Sequence, residues 1–130
     1  MLVPCVYLLQ KIERSVMKNT LLCLLNVALL ICGQLMFKFG THNKNVSSLL
    51  DMLRLLYNPY IILAVSIYTC ATLLWIYILI KVPLNYSYLI QALAFPLVTL
   101  LSIVMYNESV PITRWVGIAV IMLSIFLASI

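Results

Sequence analysis

The sequence predicts an all-α integral membrane protein, a four-helix bundle, and three observations carry that prediction. Hydrophobic residues make up 65% of the 130-residue chain and charged residues 8%, against roughly a quarter charged in a soluble domain. The apolar residues gather into four runs near 20–39, 60–80, 84–106 and 112–130. Each is about twenty residues, the length at which a helix rising about 1.5 Å per residue crosses a hydrocarbon core about 30 Å thick. Nor do the runs alternate: Leu73-Leu74-Trp75-Ile76-Tyr77-Ile78-Leu79-Ile80 is apolar all round, where a barrel strand would switch between apolar and polar residues. Backbone groups without water at depth must then be satisfied inside helices.

Residues 1–16 stand apart from residues 17–130, the four-span membrane domain. Val3-Pro4-Cys5-Val6-Tyr7-Leu8-Leu9 is too short to span and is followed by Lys11-Ile12-Glu13-Arg14, the reverse of the charge order in a signal peptide. This N-terminal extension reads either as an interfacial turn of helix or as an over-extended start ahead of Met17-Lys18-Asn19. The first loop, about Gly40–Pro59, is the longest. Within it Val46, Leu49, Leu50, Leu53 and Leu56 recur at helical spacing, which predicts an amphipathic helix over 46–57 lying on the membrane surface. The connections at Lys81-Val82-Pro83 and Asn107-Glu108-Ser109-Val110-Pro111 are tight and make the last three spans antiparallel neighbours. Pro83 and Pro111 stand at helix starts, where a missing N–H costs nothing. Pro96 falls in mid-span and should kink the third helix, freeing a carbonyl near Ala92.

The net charge of +5 does not indicate nucleic acid, because no basic cluster exists. Lys11, Arg14, Lys18 and Lys81 fall at one side of the bundle, and Lys38, Lys44, Arg54 and Arg114 at the other, where long cationic side chains snorkel to the interface. That balance leaves the orientation open under the positive-inside rule. Cys5, Cys23, Cys32 and Cys70 show no metal-ligand spacing and read as small apolar residues. With one His, His42 in a loop, and no nucleophile–base pair or glycine-rich phosphate loop, the chain carries no catalytic site, metal site or cofactor motif, and it is not read as an enzyme.

Polar residues at membrane depth are costly, so they are the candidate functional positions. The first span offers Asn26, Gln34 and Lys38; Gln34 and Lys38 are four apart and share a face. In the second, the hydroxyls of Ser66, Thr69 and Thr72 are expected to bond back to their own helix. Tyr68 and Trp75 form an aromatic stripe, with Trp75 taken as a candidate pocket wall. The third span is the richest, with Tyr88 and Gln91 on one side together with Asn85. Glu108 is the only carboxylate beside a span in the C-terminal half, either a coupling-proton site or the partner of Arg114 or of a cation on another helix.

These residues resemble a known pattern. Gly33-Gln34-Leu35-Met36-Phe37-Lys38 is similar to the G-Q-x-x-x-K signature ending the first helix in small members of the drug/metabolite transporter superfamily. Val82-Pro83-Leu84-Asn85-Tyr86-Ser87-Tyr88, Phe95-Pro96-Leu97-Val98, Glu108-Ser109-Val110 and Arg114-Trp115-Val116-Gly117-Ile118 follow in the order of half-size EamA-type proteins. Over about Met17 to Ile130 the order is similar to the flippase subunits for 4-amino-4-deoxy-arabinose linked to undecaprenyl phosphate. Two departures stand out. The A-Y-P frequent in the third helix reads Ser87-Tyr88-Leu89 here, and Leu30 occupies the place of the membrane-embedded glutamate needed by small multidrug exporters.

The resemblance implies half of a drug/metabolite transporter fold, a multi-pass protein of the inner membrane that works as a homodimer or as a heterodimer with a related four-span subunit. Its expected activity is flipping or exporting a lipid-linked sugar or related amphiphile. Gln34, Lys38, Tyr88, Gln91 and Trp75 would bind the substrate, and Glu108 would serve coupling or ion pairing. A small multidrug-type exporter using Glu108, and a non-transporting membrane assembly partner, are the alternatives; Ser124 and Ala128 form a small-xxx-small pair suited to packing a partner helix.

Overall fold

A computed structural model describes residues 2–130, with side chains from Val6 onward. The packing role expected of Cys5 therefore lies outside the described residues. Six helices follow in order: α1 Leu2–Thr41, α2 Leu49–Leu55, α3 Pro59–Lys81, α4 Leu84–Gln91, α5 Ala94–Tyr106 and α6 Ile112–Ser129. Among the described residues there is no strand. Four stretches are long and apolar enough to cross a membrane: Val6–Thr41, Pro59–Lys81, Leu84–Tyr106 and Ile112–Ser129. The chain is a multi-pass membrane protein, all-α as its composition requires.

The first span is longer than hydropathy marks it. α1 runs 40 residues without interruption, about 60 Å at 1.5 Å per residue, so Lys11-Ile12-Glu13-Arg14 lies inside a helix rather than ending one. None of the residues Val6–Lys18 is buried, and burial on α1 begins at Cys23. The N-terminal third thus projects beyond the part of α1 that packs. Its far end stops where Asn43 takes a left-handed conformation, φ 59°, which Asn tolerates better than most residues.

The core is the seam between α1 and α3. Cys23, Asn26, Val27 and Ile31 are buried on α1, facing Ile61, Ala64, Ala71 and Ile78 on α3. Spacings of three and four on α1 and of three and seven on α3 keep one face of each against the other, as in left-handed helix pairs. Lipid tails are as apolar as leucine, so packing this close rests on small residues and on polar bridges. Both are present. A Cβ on Gly33 would come within 2.6 Å of the Tyr68 ring, and one on Gly40 within 2.6 Å of Ile61 Cγ1. The buried Asn26 donates from Nδ2 to the Ala71 carbonyl at 2.7 Å. At the loop end Asn58 does two jobs. Its Oδ1 accepts from Tyr60 N, capping α3, while its Nδ2 donates to the Gly40 carbonyl and ties the two helix ends together.

The amphipathic segment of the first loop is helical over Leu49–Leu55, shorter than the expected 46–57. Ser48 caps it by accepting from Leu50 N, and Tyr57 and Asn58 bond back as turns before Pro59 opens α3. Leu49, Leu50, Leu53 and Leu56 are all exposed, so the apolar face is turned away from the protein, as a membrane-surface helix requires. At the opposite end Lys81 folds over the Tyr77 ring, 4.7 Å from its centre, the snorkelling arrangement expected of a span-end lysine.

The third span is broken into α4 and α5 at Ala92–Leu93, where Leu93 N bonds to Ile90 O and Phe95 N to Ala92 O in tightened turns. Pro96 sits in the first turn of α5 and has no N–H to return to Ala92, so the discontinuity lies one turn upstream of the proline. α4 and α5 pack chiefly on α1, whereas α6 leans lightly on α4 and buries none of its residues. Hydroxyls along the spans bond back four residues, Ser66 to Ile62 O, Thr69 to Val65 O and Thr72 to Tyr68 O, as expected for groups with no water to turn to.

Two substitutions test the seam and a third, on α6, is the control. Gly33→Leu should cost about 1–3 kcal/mol by forcing overpacking, read as a lower unfolding midpoint in mixed micelles. Gly117→Ala on α6, where an added Cβ meets nothing within 4 Å, should change that midpoint by less than about 0.5 kcal/mol. Asn26→Leu, close to isosteric, should lose about 1 kcal/mol, in the range measured for interhelical hydrogen bonds in membranes.

Candidate functional site

Beside the seam, α1, α3, α4 and α5 enclose a cavity of about 400 Å³ lined by Leu30, Ile31, Gln34, Tyr68, Gln91, Ala94, Phe95, Val98 and Thr99. Local sequence accounts for its existence. Gly33 leaves room for the Tyr68 ring to lie against α1, and Phe37 packs on that ring at 5.3 Å, holding it from above. The helix break then draws the α4–α5 junction away from an ideal cylinder, so Gln91 at the end of α4 and Ala94 and Phe95 at the start of α5 border the space. Gln34 and Phe95 are exposed, so the cavity opens sideways.

Its walls are mostly apolar, with a few uncharged polar groups set among them. The Thr99 hydroxyl is engaged with Phe95 O at 2.9 Å, which leaves Gln34, Tyr68 and Gln91 to give the space its character. Gln91 stands out: its Oε1 is buried and has no hydrogen-bond partner. A buried amide acceptor without a donor costs about 1–3 kcal/mol, and the side chain that carries it borders the cavity, where a small rotation would offer the oxygen to a hydroxyl or ammonium group. No carboxylate lines the cavity. Leu30, at the position corresponding to the exporters' glutamate, is among its walls.

One turn beyond Gln34, Lys38 forms an ion pair with Glu108, both side chains partly exposed at 43% and 39%. The Lys38 ammonium also lies 5.1 Å from the centre of the Tyr106 ring. Tyr106 is held in turn by α1: its hydroxyl donates to Leu35 O at 3.3 Å, and its ring meets Phe39 and stacks near His42. Asn107 takes a left-handed conformation, φ 50° and ψ 36°, with its N–H on Ile103 O. That reversal ends α5 and returns Glu108 to α1. Of the partners open to Glu108 in the sequence, the structure selects the cation on another helix, Lys38, and not Arg114.

The remaining two candidates sit elsewhere. Trp75 and Tyr88 form an edge-to-face pair, centroids 5.4 Å apart, and neither borders the cavity. Trp75 packs against the buried group of Cys23, Ile78 and Val82. Tyr88 and Gln91 stand three apart within the unbroken α4, but only the Gln91 edge of that side borders the cavity, while Tyr88 is turned toward Trp75 on α3. Tyr68, the other member of the aromatic stripe, is the one that lines the cavity. Gln34 and Gln91 are therefore brought together, Lys38 and Glu108 are joined just beyond them, and the Trp75–Tyr88 pair is separate. Among the described residues no three of His, Cys, Asp and Glu gather where they could hold a metal ion.

Fold and site together define a four-span membrane protein with a side-opening, largely apolar cavity that carries uncharged polar groups, and an ion pair one turn above it. Comparison with known proteins points the same way. The chain is 37% identical over 70 residues to the probable 4-amino-4-deoxy-L-arabinose-phosphoundecaprenol flippase subunit ArnE of Proteus mirabilis, a match spanning 54% of this chain and 62% of that protein. It is 29% identical over 107 residues to the protein of the same name from Aeromonas hydrophila, spanning 82% of this chain and 94% of the relative. No protein-family profile matches the chain, and no solved structure matches it significantly. The resemblance to flippase subunits read from the motifs is thus found again in sequence similarity that spans part of the chain.

The separateness of the aromatic pair can be measured by fluorescence. In a Trp115→Phe background, where Trp75 is the remaining tryptophan, Tyr88→Ala should shift the emission maximum by removing an edge-to-face neighbour. Gln91→Ala should leave the spectrum unchanged.

Proposed function

We propose that this chain is a transporter subunit, not an enzyme, and that it moves a lipid-linked sugar between leaflets of the inner membrane together with a second four-span subunit. The likeness to proteins named as flippase subunits supports the class of cargo. The observation that carries the reading at the level of chemistry is Gln91, a residue that borders a cavity with no charged wall and whose buried Oε1 has no partner.

A sugar carries hydroxyl and amino donors that lose their hydration on entering hydrocarbon, at a cost of several kcal/mol for each group left unpaired. Gln91, Gln34 and the Tyr68 hydroxyl offer replacements for that hydration, and the aliphatic walls from Leu30, Ile31, Ala94 and Val98 suit the ring faces. The polyprenyl tail needs no protein enclosure: the lateral opening between Gln34 and Phe95 lets it stay in lipid while the headgroup is sheltered. Lys38, about 6 Å further along α1 by helix geometry, is placed to receive the linking phosphate by charge and hydrogen bonding.

A small multidrug-type exporter fits less well. Its cationic cargo would find no carboxylate in the cavity, since Leu30 stands where one is needed and Glu108 is joined to Lys38 at the end of the bundle. Flipping of an aminosugar linked to polyprenyl phosphate, followed in proteoliposomes holding the chain and its second subunit, tests the proposal. Gln91→Leu should slow it about ten-fold, the loss expected for one hydrogen bond to a desolvated group, with insertion unchanged and the unfolding midpoint no lower than in the wild type. A wild-type rate in that variant would remove the cavity from the transport path.

A further inference from the structure

We propose that Glu108 is a resident anion that occupies the phosphate position on Lys38 until the substrate displaces it, and so selects for cargo that fills the cavity as well. The inference rests on the reading of the cavity as the headgroup site.

Three observations support a built arrangement over a chance surface pair. The chain has three acidic residues against eight basic ones, and one of the three is delivered to Lys38 from a position 70 residues away. Its approach is fixed on both sides: Asn107 supplies the left-handed reversal just before it, and Tyr106 is anchored to Leu35, Phe39 and His42 on or just beyond α1. Finally, a carboxylate oxygen on an ammonium is the same contact that a phosphate oxygen would make. The Tyr106 ring beside the ammonium adds a cation–π contact that either anion would leave in place.

The pair's partial exposure sets its strength. Ion pairs accessible to solvent are worth up to about 1 kcal/mol, so an incoming anion can displace Glu108, although it must compete to do so. The abundant anionic phospholipids of a bilayer present a phosphate but have no sugar to place against Gln34 and Gln91. For them, competition with a tethered carboxylate at very high local concentration is a net loss. A sugar-phosphate lipid recovers the difference in the cavity. Glu108 is in this sense a specificity-determining residue whose effect on binding opposes that of Lys38, although the two touch.

The probe is decyl phosphate, an anionic single-chain lipid without a sugar, titrated into the full chain in nanodiscs of zwitterionic lipid. Glu108→Gln should tighten its binding about three- to five-fold, the factor set by loss of a competing exposed ion pair. Lys38→Met should abolish binding, and Lys38→Met/Glu108→Gln should match Lys38→Met alone. Weaker or unchanged binding in Glu108→Gln would overturn the proposal. A second measurement leaves the pair intact. With the native cysteines replaced by alanine and Ser109→Cys added, saturating decyl phosphate should speed labelling by a membrane-impermeant maleimide, and decanol should not. Labelling indifferent to decyl phosphate would equally overturn it. The two readings fail separately. If the cavity does not take the sugar, Gln91→Leu flips normally while the Glu108→Gln effect on decyl phosphate remains. If Glu108 is no resident anion, the Gln91→Leu defect remains and Glu108→Gln is silent.

Discussion

The close approach of α1 to α3 is the constraint on which the rest of the molecule depends. It is set at three heights: by the Asn26 hydrogen bond to the Ala71 carbonyl, by the Tyr68 ring lying where a Gly33 side chain would be, and by Asn58 joining the helix ends. Each is costly to lose in a medium where apolar side chains gain little from meeting one another. The middle contact also links the seam to the cavity. Tyr68 can be both a packing residue of the seam and a wall of the cavity only because Gly33 has no side chain. The seam and the site are therefore one construction.

The α4–α5 break is the second determinant. An unbroken third helix would satisfy every backbone group internally and present a smooth cylinder to α1. The missing N–H of Pro96 and the tightened turns at Ala92–Leu93 give up part of that regularity. Irregular backbone at membrane depth is tolerated where it borders a cavity or is covered by protein, and here it borders the space lined by Gln91, Ala94 and Phe95. The unsatisfied Gln91 amide lies at the same discontinuity. Two departures from ideal packing thus meet at one point, as expected where a protein retains local cost for the sake of a ligand.

Much of this was legible from the residues. Hydropathy gives four spans because their length and composition leave no other way to satisfy the backbone, and Pro96 announces the break because a residue without an N–H cannot close a helical turn. Gln34 and Gln91 could be named because amides are expensive at depth. What could not be read is how the helices rotate about their axes. Periodicity groups Tyr88 with Gln91, and both do share α4, but the rotation of that helix about its axis puts Gln91 at the cavity and Tyr88 against Trp75. The stripe of Tyr68 and Trp75 contained a cavity wall, and only packing tells which member it is. Gly33 appeared as part of a motif, without any hint that its missing side chain is what seats Tyr68. The pairing of Lys38 with Glu108 depends on the left-handed turn at Asn107, a backbone choice that no spacing rule encodes.

α6 stands outside all of these dependencies. None of its residues is buried, and Gly117 has open space where a side chain would be. A helix with so little to satisfy within its own chain is, as far as this fold is concerned, free to drift: most apolar substitutions along it would be neutral for folding. Residues in such a helix that nevertheless resist replacement, Gly117 above all, would owe that resistance to something beyond the chain. The pattern of tolerated changes along α6 is therefore a record of its surroundings, written in the one element whose own architecture leaves the page blank.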